Sequence, residues 1–129
     1  MSDIISISTG DAPTPAGHYA QATMVNGLIF ISGQLPVEVG KGARPDLSFE
    51  DQVRLAMANA LAVMAAAGGG VDRVVRVTAY IVGVENWPLF NAVYADIMGD
   101  TKPARTVVPV AELHHGCLVE VDMIGAVPG

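Results

Sequence analysis

Two periodicities of apolar residues alternate along this chain of 129 residues and divide it into strands and helices. Runs in which β-branched and apolar residues recur at every second position, bounded by turn residues, are typical of strands. The predicted strands are residues 4–8, 22–25, 28–34, 74–82, 104–110 and 118–127. Asn26-Gly27 joins the second strand to the third and is typical of a type I′ hairpin turn, because both residues accept a positive φ.

Two segments show helical spacing instead. Ser48 begins the first predicted helix, since its hydroxyl can accept from free N–H groups and acidic residues follow in the first turn. Gly68-Gly69-Gly70 ends that helix. Asn86 caps the second helix, Pro88 lies in its first turn and Gly99 ends it. The predicted inward-facing residues are Val53, Met57, Ala60, Leu61 and Met64 in the first helix, and Leu89 or Phe90, Val93, Tyr94 and Ile97 in the second.

The resulting order of elements is β-β-β-α-β-α-β-β. It predicts an α/β (α+β) fold, with a single mixed β-sheet and two helices packed on one face. Segments 10–17 and 37–47 are rich in Gly and Pro and are predicted to be loops. No linker, repeat or second domain is indicated, so residues 1–129 are interpreted as one domain.

The composition favours an oligomer and disfavours several classes of protein. The chain is 51% hydrophobic and only 16% charged, which leaves apolar surface for a subunit interface to cover. A net charge of −6 and a pI near 4.7 disfavour binding to a nucleic-acid backbone. The longest apolar stretch, residues 60–67, is too short to span a membrane, and the N-terminus lacks the pattern of a secretory signal. Cys117 is the single cysteine, which fits a cytoplasmic location.

Arg105 and Glu120 are the candidates for chemistry. Each lies in a predicted strand, where a charged side chain is costly unless it faces a ligand, a counter-charge or a subunit partner. An arginine offers a rigid fork that fits a substrate carboxylate, and a glutamate can hold and activate a water molecule. Strand alternation places Glu120 on the face opposite Val119 and Val121. An ordinary structural ion pair for the arginine, or a solvent-facing or interface role for the glutamate, remains open on pattern alone.

Five short motifs, in order, give the chain a family resemblance. They are Gly17-His18-Tyr19-Ala20-Gln21, Ile31-Ser32-Gly33-Gln34-Leu35-Pro36, Asn91-Ala92-Val93-Tyr94, Pro103-Ala104-Arg105 and Val119-Glu120-Val121. In this order they resemble the Rid/YjgF family, the reactive intermediate deaminases. The resemblance implies a homotrimer similar to chorismate mutase, with three clefts between subunits.

The resemblance also implies an activity and a set of site residues. The activity is hydrolytic deamination of enamines and imines to 2-keto acids and ammonia, with no cofactor and no metal. Arg105 would bind the carboxylate of the substrate, and Glu120 would position the water. The cleft would be closed by Tyr19 of a neighbouring subunit, walled by Ser32 and Gly33, and lined by Asn91.

Two departures from the family pattern stand out. Val107 occupies a position where many members have cysteine, which excludes a thiol role, although its backbone N–H could still help to hold a carboxylate. His114-His115 replaces a Pro-Lys pair. Adjacent side chains are expected to point apart, so this pair is a weak metal signal, and an influence on substrate choice or pH response is preferred. Cys117 is interpreted as a small buried hydrophobe.

Two other functions remain open. The first is a non-catalytic trimer that binds or senses small carboxylates, which would need Arg105 but not Glu120. The second is a ribonuclease or translation inhibitor, which the low charge density disfavours. The triple glycine at residues 68–70 is not a phosphate loop, because no Gly-Lys-Ser/Thr follows it.

Overall fold

The computed structural model of the protein describes residues 3–127. It contains eight strands and two helices, with short 3₁₀ turns at Val71–Arg73, Val84–Asn86 and His114–Gly116. The strands are β1 (Ile5–Ile7), β2 (Ala22–Val25), β3 (Leu28–Gln34), β4 (Val37–Glu38), β5 (Gly42–Ala43), β6 (Val74–Val82), β7 (Ala104–Val110) and β8 (Val119–Ala126). The helices are α1 (Phe49–Ala66) and α2 (Trp87–Met98).

Six strands form one mixed sheet in the order β1-β2-β3-β8-β6-β7. β6 and β7 pair in parallel, and β8 lies antiparallel between β3 and β6. The predicted mixed sheet is therefore confirmed. The placement of β8, the last strand, at the centre carries Glu120 into the middle of the molecule.

The two helices cover one face of this sheet. Alternate residues of the central strands are buried beneath them, including Val77 and Ile81 of β6 and Val119 and Val121 of β8. The opposite face carries Phe30 and Leu28 of β3, which are 40% and 39% exposed. The central strands β3, β6 and β8 therefore have one face in the core and one face on the open side, as the period-two pattern predicted. None of the helices formed within residues 3–127 is long and apolar enough to cross a membrane.

The helix caps follow the prediction at one site and depart from it at the other. Ser48 Oγ accepts a hydrogen bond from Asp51 N at 3.1 Å, which confirms it as the cap of α1. Asn86 occupies the position before α2 but does not cap it, so that prediction is wrong. Its backbone is already helical, and its side-chain Nδ2 donates to the carbonyl of Val82 at 2.9 Å. Phe90 rather than Leu89 faces the core.

The segment predicted as a loop at residues 37–47 contains a small two-stranded ribbon, β4 paired with β5. Two buried amides of α1 anchor this segment. Asn59 Nδ2 donates to the carbonyls of Leu35 and Val37 at 3.1 and 2.8 Å, and Gln52 Nε2 donates to the carbonyl of Leu47 at 3.0 Å. These hydrogen bonds hold the ribbon as one wall of the cleft described next.

Candidate active site

A cleft of about 440 Å³ opens at the end of β3. One wall is the loop that contains Pro13, Gly17 and Tyr19, and another is the segment from Gln34 to Ala43. The turn at His114–Gly116 and the side chain of Glu120 complete the lining. Most of the lining is apolar, so a charged group inside the cleft is only partly solvated.

Glu120 is the acidic group of this cleft. Burial raises the pKa of its carboxyl above the ordinary value of 4.5, and the negative charge of Asp122 raises it further. The charge of His114 acts in the opposite direction and lowers this pKa. A carboxylate with a raised pKa accepts a proton more readily than an exposed one, as a general base requires.

Gly33 gives the carboxylate its place against the sheet. An ideal Cβ added at this position would lie 2.9 Å from Oε2 of Glu120 and 3.1 Å from its Cδ. A side chain at residue 33 would therefore push the carboxylate away from the β3 backbone. The structure thus places Gly33 and Glu120 in direct contact, as expected for two residues of one site.

Tyr19 forms the rim of the cleft and is 50% exposed. Its hydroxyl accepts a hydrogen bond from Ala16 N at 3.3 Å, and its ring lies over Gly17. Ser32 lies behind this loop, where its hydroxyl donates to the carbonyl of Ala20 at 2.7 Å. Ser32 thus supports the segment that carries Tyr19, and its hydroxyl is engaged in that contact.

Gln21 also shapes the site, and the sequence assigned it no role. It is 3% exposed, and its Oε1 accepts from Thr9 N at 2.7 Å. Its Nε2 lies 3.0, 3.3 and 2.9 Å from the carbonyls of Thr9, Ala12 and Pro13, to which it donates. The only signal in the sequence was its place at the end of the motif that contains Tyr19.

The two adjacent histidines both line the cleft. The expectation that they point apart is wrong, because their ring centroids are 3.8 Å apart in an edge-to-face arrangement. His115 has φ +61°, a left-handed conformation that turns its ring back toward His114. No cluster of three or more potential metal-ligating side chains occurs in the described part of the chain.

Arg105 lies on the other side of the sheet. It pairs with Val77 of β6, which pairs with Met123 of β8, so these three side chains share the helix-covered face. Glu120 of β8 pairs with Tyr80 of β6, which pairs with Val108 of β7, so these three side chains share the open face. Within one chain, the structure therefore does not bring the two charged candidates together.

The surroundings of Arg105 form a second, smaller hollow of about 220 Å³. The hollow is lined by Tyr94 and Lys102 among others. No carboxylate of residues 3–127 lies within ion-pair distance of the guanidinium, so the alternative of an intrachain salt bridge is not supported there. Val107 is 8% exposed on the same face, and Asn91 is exposed on α2 and lines neither cavity.

Cys117 lies just before β8 and is 1% exposed. Burial raises the pKa of its thiol, and the charge of Glu120 adds to that effect. A thiol that resists ionisation is a poor nucleophile. The interpretation of Cys117 as a small buried hydrophobe is confirmed.

Comparison with known proteins gives the relationship. The family model described as "Endoribonuclease L-PSP" matches residues 9–127. A RutC family protein of Pyrococcus horikoshii is 36% identical over 118 residues, which are 92% of this chain and 94% of that protein. The structure of RidA from the Antarctic bacterium Psychrobacter sp. PAMC 21119 superposes with a TM-score of 0.90 and 31% identity, covering 95% of this chain and 99% of the other.

A third comparison concerns a structure with a bound ligand. Escherichia coli TdcF, solved with bound serine, superposes with a TM-score of 0.89 and 31% identity over 96% of this chain and 99% of its own. Sequence and structure therefore agree over almost the whole length, and both confirm the resemblance and the fold expected from the five motifs. The chain belongs to the Rid/YjgF family.

Proposed function

We propose that this protein hydrolyses short-lived enamines and imines derived from small amino acids, releasing a 2-keto acid and ammonia. The observation that carries the proposal is the Glu120 carboxylate, half-buried in a largely apolar cleft and seated against Gly33 with a raised pKa. This is the environment in which a carboxylate serves as a base for water. The imine carbon is already electrophilic, so the reaction needs no further activation of the substrate.

In the proposed reaction, Glu120 accepts a proton from water while the water oxygen forms a bond to the carbon of the protonated imine. The product of this step is a neutral carbinolamine. Glu120 then returns the proton to the nitrogen and accepts the hydroxyl proton as the carbon–nitrogen bond breaks, so that the hydroxyl oxygen becomes the carbonyl of the 2-keto acid. Glu120 passes this last proton to the ammonia, so that protonated imine and water are consumed, keto acid and ammonium are produced, and the carboxylate is regenerated.

Arg105 supplies the binding of the substrate carboxylate in this proposal. Its guanidinium has no carboxylate partner within residues 3–127, so both arms of its fork can receive a ligand. The related TdcF binds serine, which is a small molecule with one carboxylate next to an amino-bearing carbon. A ligand of that size suits a cleft of about 440 Å³.

Because Arg105 and Glu120 lie on opposite faces of the sheet, a site that contains both residues requires a second copy of the chain. We propose that Arg105 of one copy meets the cleft with Glu120 and Tyr19 of the next, in a homotrimer. The exposed apolar residues Phe30 and Leu28 on the open sheet face support such an association. Asn91 and Val107 would then enter the site together with Arg105, while Ser32 and Gly33 would come from the other copy.

Mixing two inactive variants tests the roles of Arg105 and Glu120 and also tests whether the two residues of one site come from different copies of the chain. Arg105→Ala and Glu120→Gln are each expected to lose imine hydrolysis, measured by trapping the imine with semicarbazide as an amino-acid oxidase generates it. Mixed assemblies from equal amounts of the two variants should recover about one quarter of wild-type activity, because one interface in four combines an intact arginine with an intact glutamate. A site built within one chain would recover nothing.

The matched controls are Arg54→Ala and Glu50→Gln, which change an exposed arginine and an exposed glutamate of α1. Both are expected to hydrolyse imines as the wild type does. Full activity of Arg105→Ala would overturn the role in carboxylate binding, and full activity of Glu120→Gln would overturn the role in water activation.

Non-catalytic binding of small carboxylates is the second candidate, and the unpaired guanidinium of Arg105 favours it as much as it favours catalysis. Comparing the wild type with Glu120→Gln separates binding from catalysis. If the protein only binds carboxylates, the wild type hydrolyses no imine, and the wild type and Glu120→Gln bind a keto acid equally well. The family description as an endoribonuclease suggests RNA as a third ligand, but the net charge of −6 disfavours it.

A further inference from the structure

Two aromatic rings of α2 lie next to each other beneath the edge of the sheet. Phe90 and Tyr94 are one helical turn apart, so they share the face of α2 that is turned toward the core. Their ring centroids are 5.4 Å apart with an interplanar angle of 30°. They are 0% and 7% exposed, which means that surrounding residues fix both rings.

Arg105 lies across both rings. Its Cζ is 5.1 Å from the ring centroid of Tyr94 and 5.7 Å from that of Phe90, both within the range of a cation–π interaction. No carboxylate of residues 3–127 pairs with this guanidinium. The two rings are therefore the groups that restrain its position within the chain.

The difference between a ring and a carboxylate as the restraining partner matters for binding. A carboxylate would occupy the N–H groups of the guanidinium and neutralise its charge. Aromatic rings attract the charge through their π faces and accept no conventional hydrogen bond, so the donor fork stays available. An arginine held in this way is ordered before the ligand arrives, and less side-chain entropy is lost when it binds.

We propose that Phe90 and Tyr94 form an aromatic platform that orients Arg105 to receive the carboxylate of the substrate. They are positioning residues, and the proposal rests on the function proposed above for Arg105. The rings of the platform carry this role and the hydroxyl of Tyr94 does not. That hydroxyl is buried and has no hydrogen-bond partner among the residues that the structure describes.

Three variants separate the rings from the hydroxyl. Tyr94→Phe keeps the ring and should leave KM for the imine within about twofold of the wild type, since the cation–π contact is retained. Tyr94→Leu and Phe90→Leu each remove one ring and should raise KM about tenfold, with a smaller change in kcat. Val93→Ala is the control for a general loss of packing in α2, because Val93 is buried on the same helix and is not a ring.

A double-mutant cycle tests whether the platform acts through the arginine. In an Arg105→Ala background, Tyr94→Leu should lower the free energy of unfolding by less than it does in the wild-type background, because the cation–π contact that it removes is already gone. An equal loss in both backgrounds would overturn the proposal, as would wild-type KM values in both leucine variants. Melting temperatures of all variants identify any that lose activity by unfolding.

A measurement without turnover keeps this proposal separate from the proposed function. Binding of pyruvate, a small 2-keto acid, is titrated while the side-chain Nε–Hε signal of Arg105 is followed by NMR. The rings should shift this signal in the free protein, and the leucine variants should lose the shift and bind about tenfold more weakly. If the wild type binds pyruvate through Arg105 but hydrolyses no imine, the deaminase proposal fails and the platform stands. Unaltered pyruvate binding in the leucine variants overturns the platform alone.

Discussion

Replacing Gly33 by alanine would place a methyl group directly against the candidate base. The added Cβ would lie 2.9 Å from Oε2 of Glu120, whereas an ordinary contact between carbon and oxygen is about 3.4 Å. The carboxylate must therefore retreat by about half an ångström. No positive φ is involved at Gly33, so the backbone itself accepts alanine.

The expected cost falls on activity and not on stability. The atom that must move is at the end of a flexible side chain, and alanine also restricts the unfolded chain, which favours folding by about 0.4–1 kcal/mol. We therefore expect the free energy of unfolding to change by less than about 1 kcal/mol. Since a misplacement of 1 Å can cost about a hundredfold in rate, a half-ångström shift of the base should lower kcat about tenfold.

Steady-state imine hydrolysis and chemical denaturation of Gly33→Ala measure the two effects. The control is Gly10→Ala, since, its two chain neighbours aside, no atom of residues 3–127 lies within 4 Å of a Cβ built there and its φ is also unexceptional. Gly10→Ala should match the wild type in both assays. The reasoning is refuted if Gly33→Ala retains wild-type kcat, because the position of the Glu120 carboxylate would then not control the reaction.

Three further outcomes follow from the same cleft. Glu120 has a raised pKa in the folded protein, so the folded state loses stability as the pH rises from 4.5 through that raised pKa. Glu120→Gln should therefore increase the melting temperature at pH 7 and change it little at pH 4. An equal change at both pH values would contradict the raised pKa of Glu120. The charge of His114 lowers the pKa of Glu120, so His114→Gln should move the acid limb of the pH profile of kcat/KM to higher pH. An acid limb that stays in place or moves to lower pH would show that the charge of His114 does not act on Glu120. Gln21→Ala removes the hydrogen bonds that hold residues 9–13 and should lower the free energy of unfolding by about 2–4 kcal/mol in urea denaturation, whereas a change below about 0.5 kcal/mol would mean that solvent replaces them.

Local pattern predicted most of the fold because most of its elements carry their own signals. The Asn26-Gly27 turn connects β2 to β3 as predicted, and both residues have the positive φ that the turn requires. Ser48 caps α1 for the same local reason. Asn86 failed as a cap because another local partner, the Val82 carbonyl four residues earlier at the end of β6, holds its side chain.

The candidate site was less accessible to sequence reasoning, because its contacts join distant parts of the chain. The contact between Gly33 and Glu120 depends on β8 inserting next to β3, which no local periodicity specifies. The role of Gln21 likewise depends on four hydrogen bonds to backbone groups at least eight residues away. The motifs identified these segments in the sequence, but the contacts of each side chain are seen only in the folded structure.

The strand register places Arg105 and Glu120 on opposite faces of the sheet, and this placement changes the interpretation of the two charges. A charge that meets no counter-charge within its own chain is costly to retain unless a ligand or a second chain uses it. Arg105 rests on aromatic rings, and Glu120 rests on a glycine backbone beside a second acid, Asp122. Neither forms an ion pair within residues 3–127, although the charge of His114 acts on Glu120. In the proposed homotrimer, a positive group and a basic carboxylate prepared in this way on two surfaces of one chain would be the two halves of a site that association of identical chains completes.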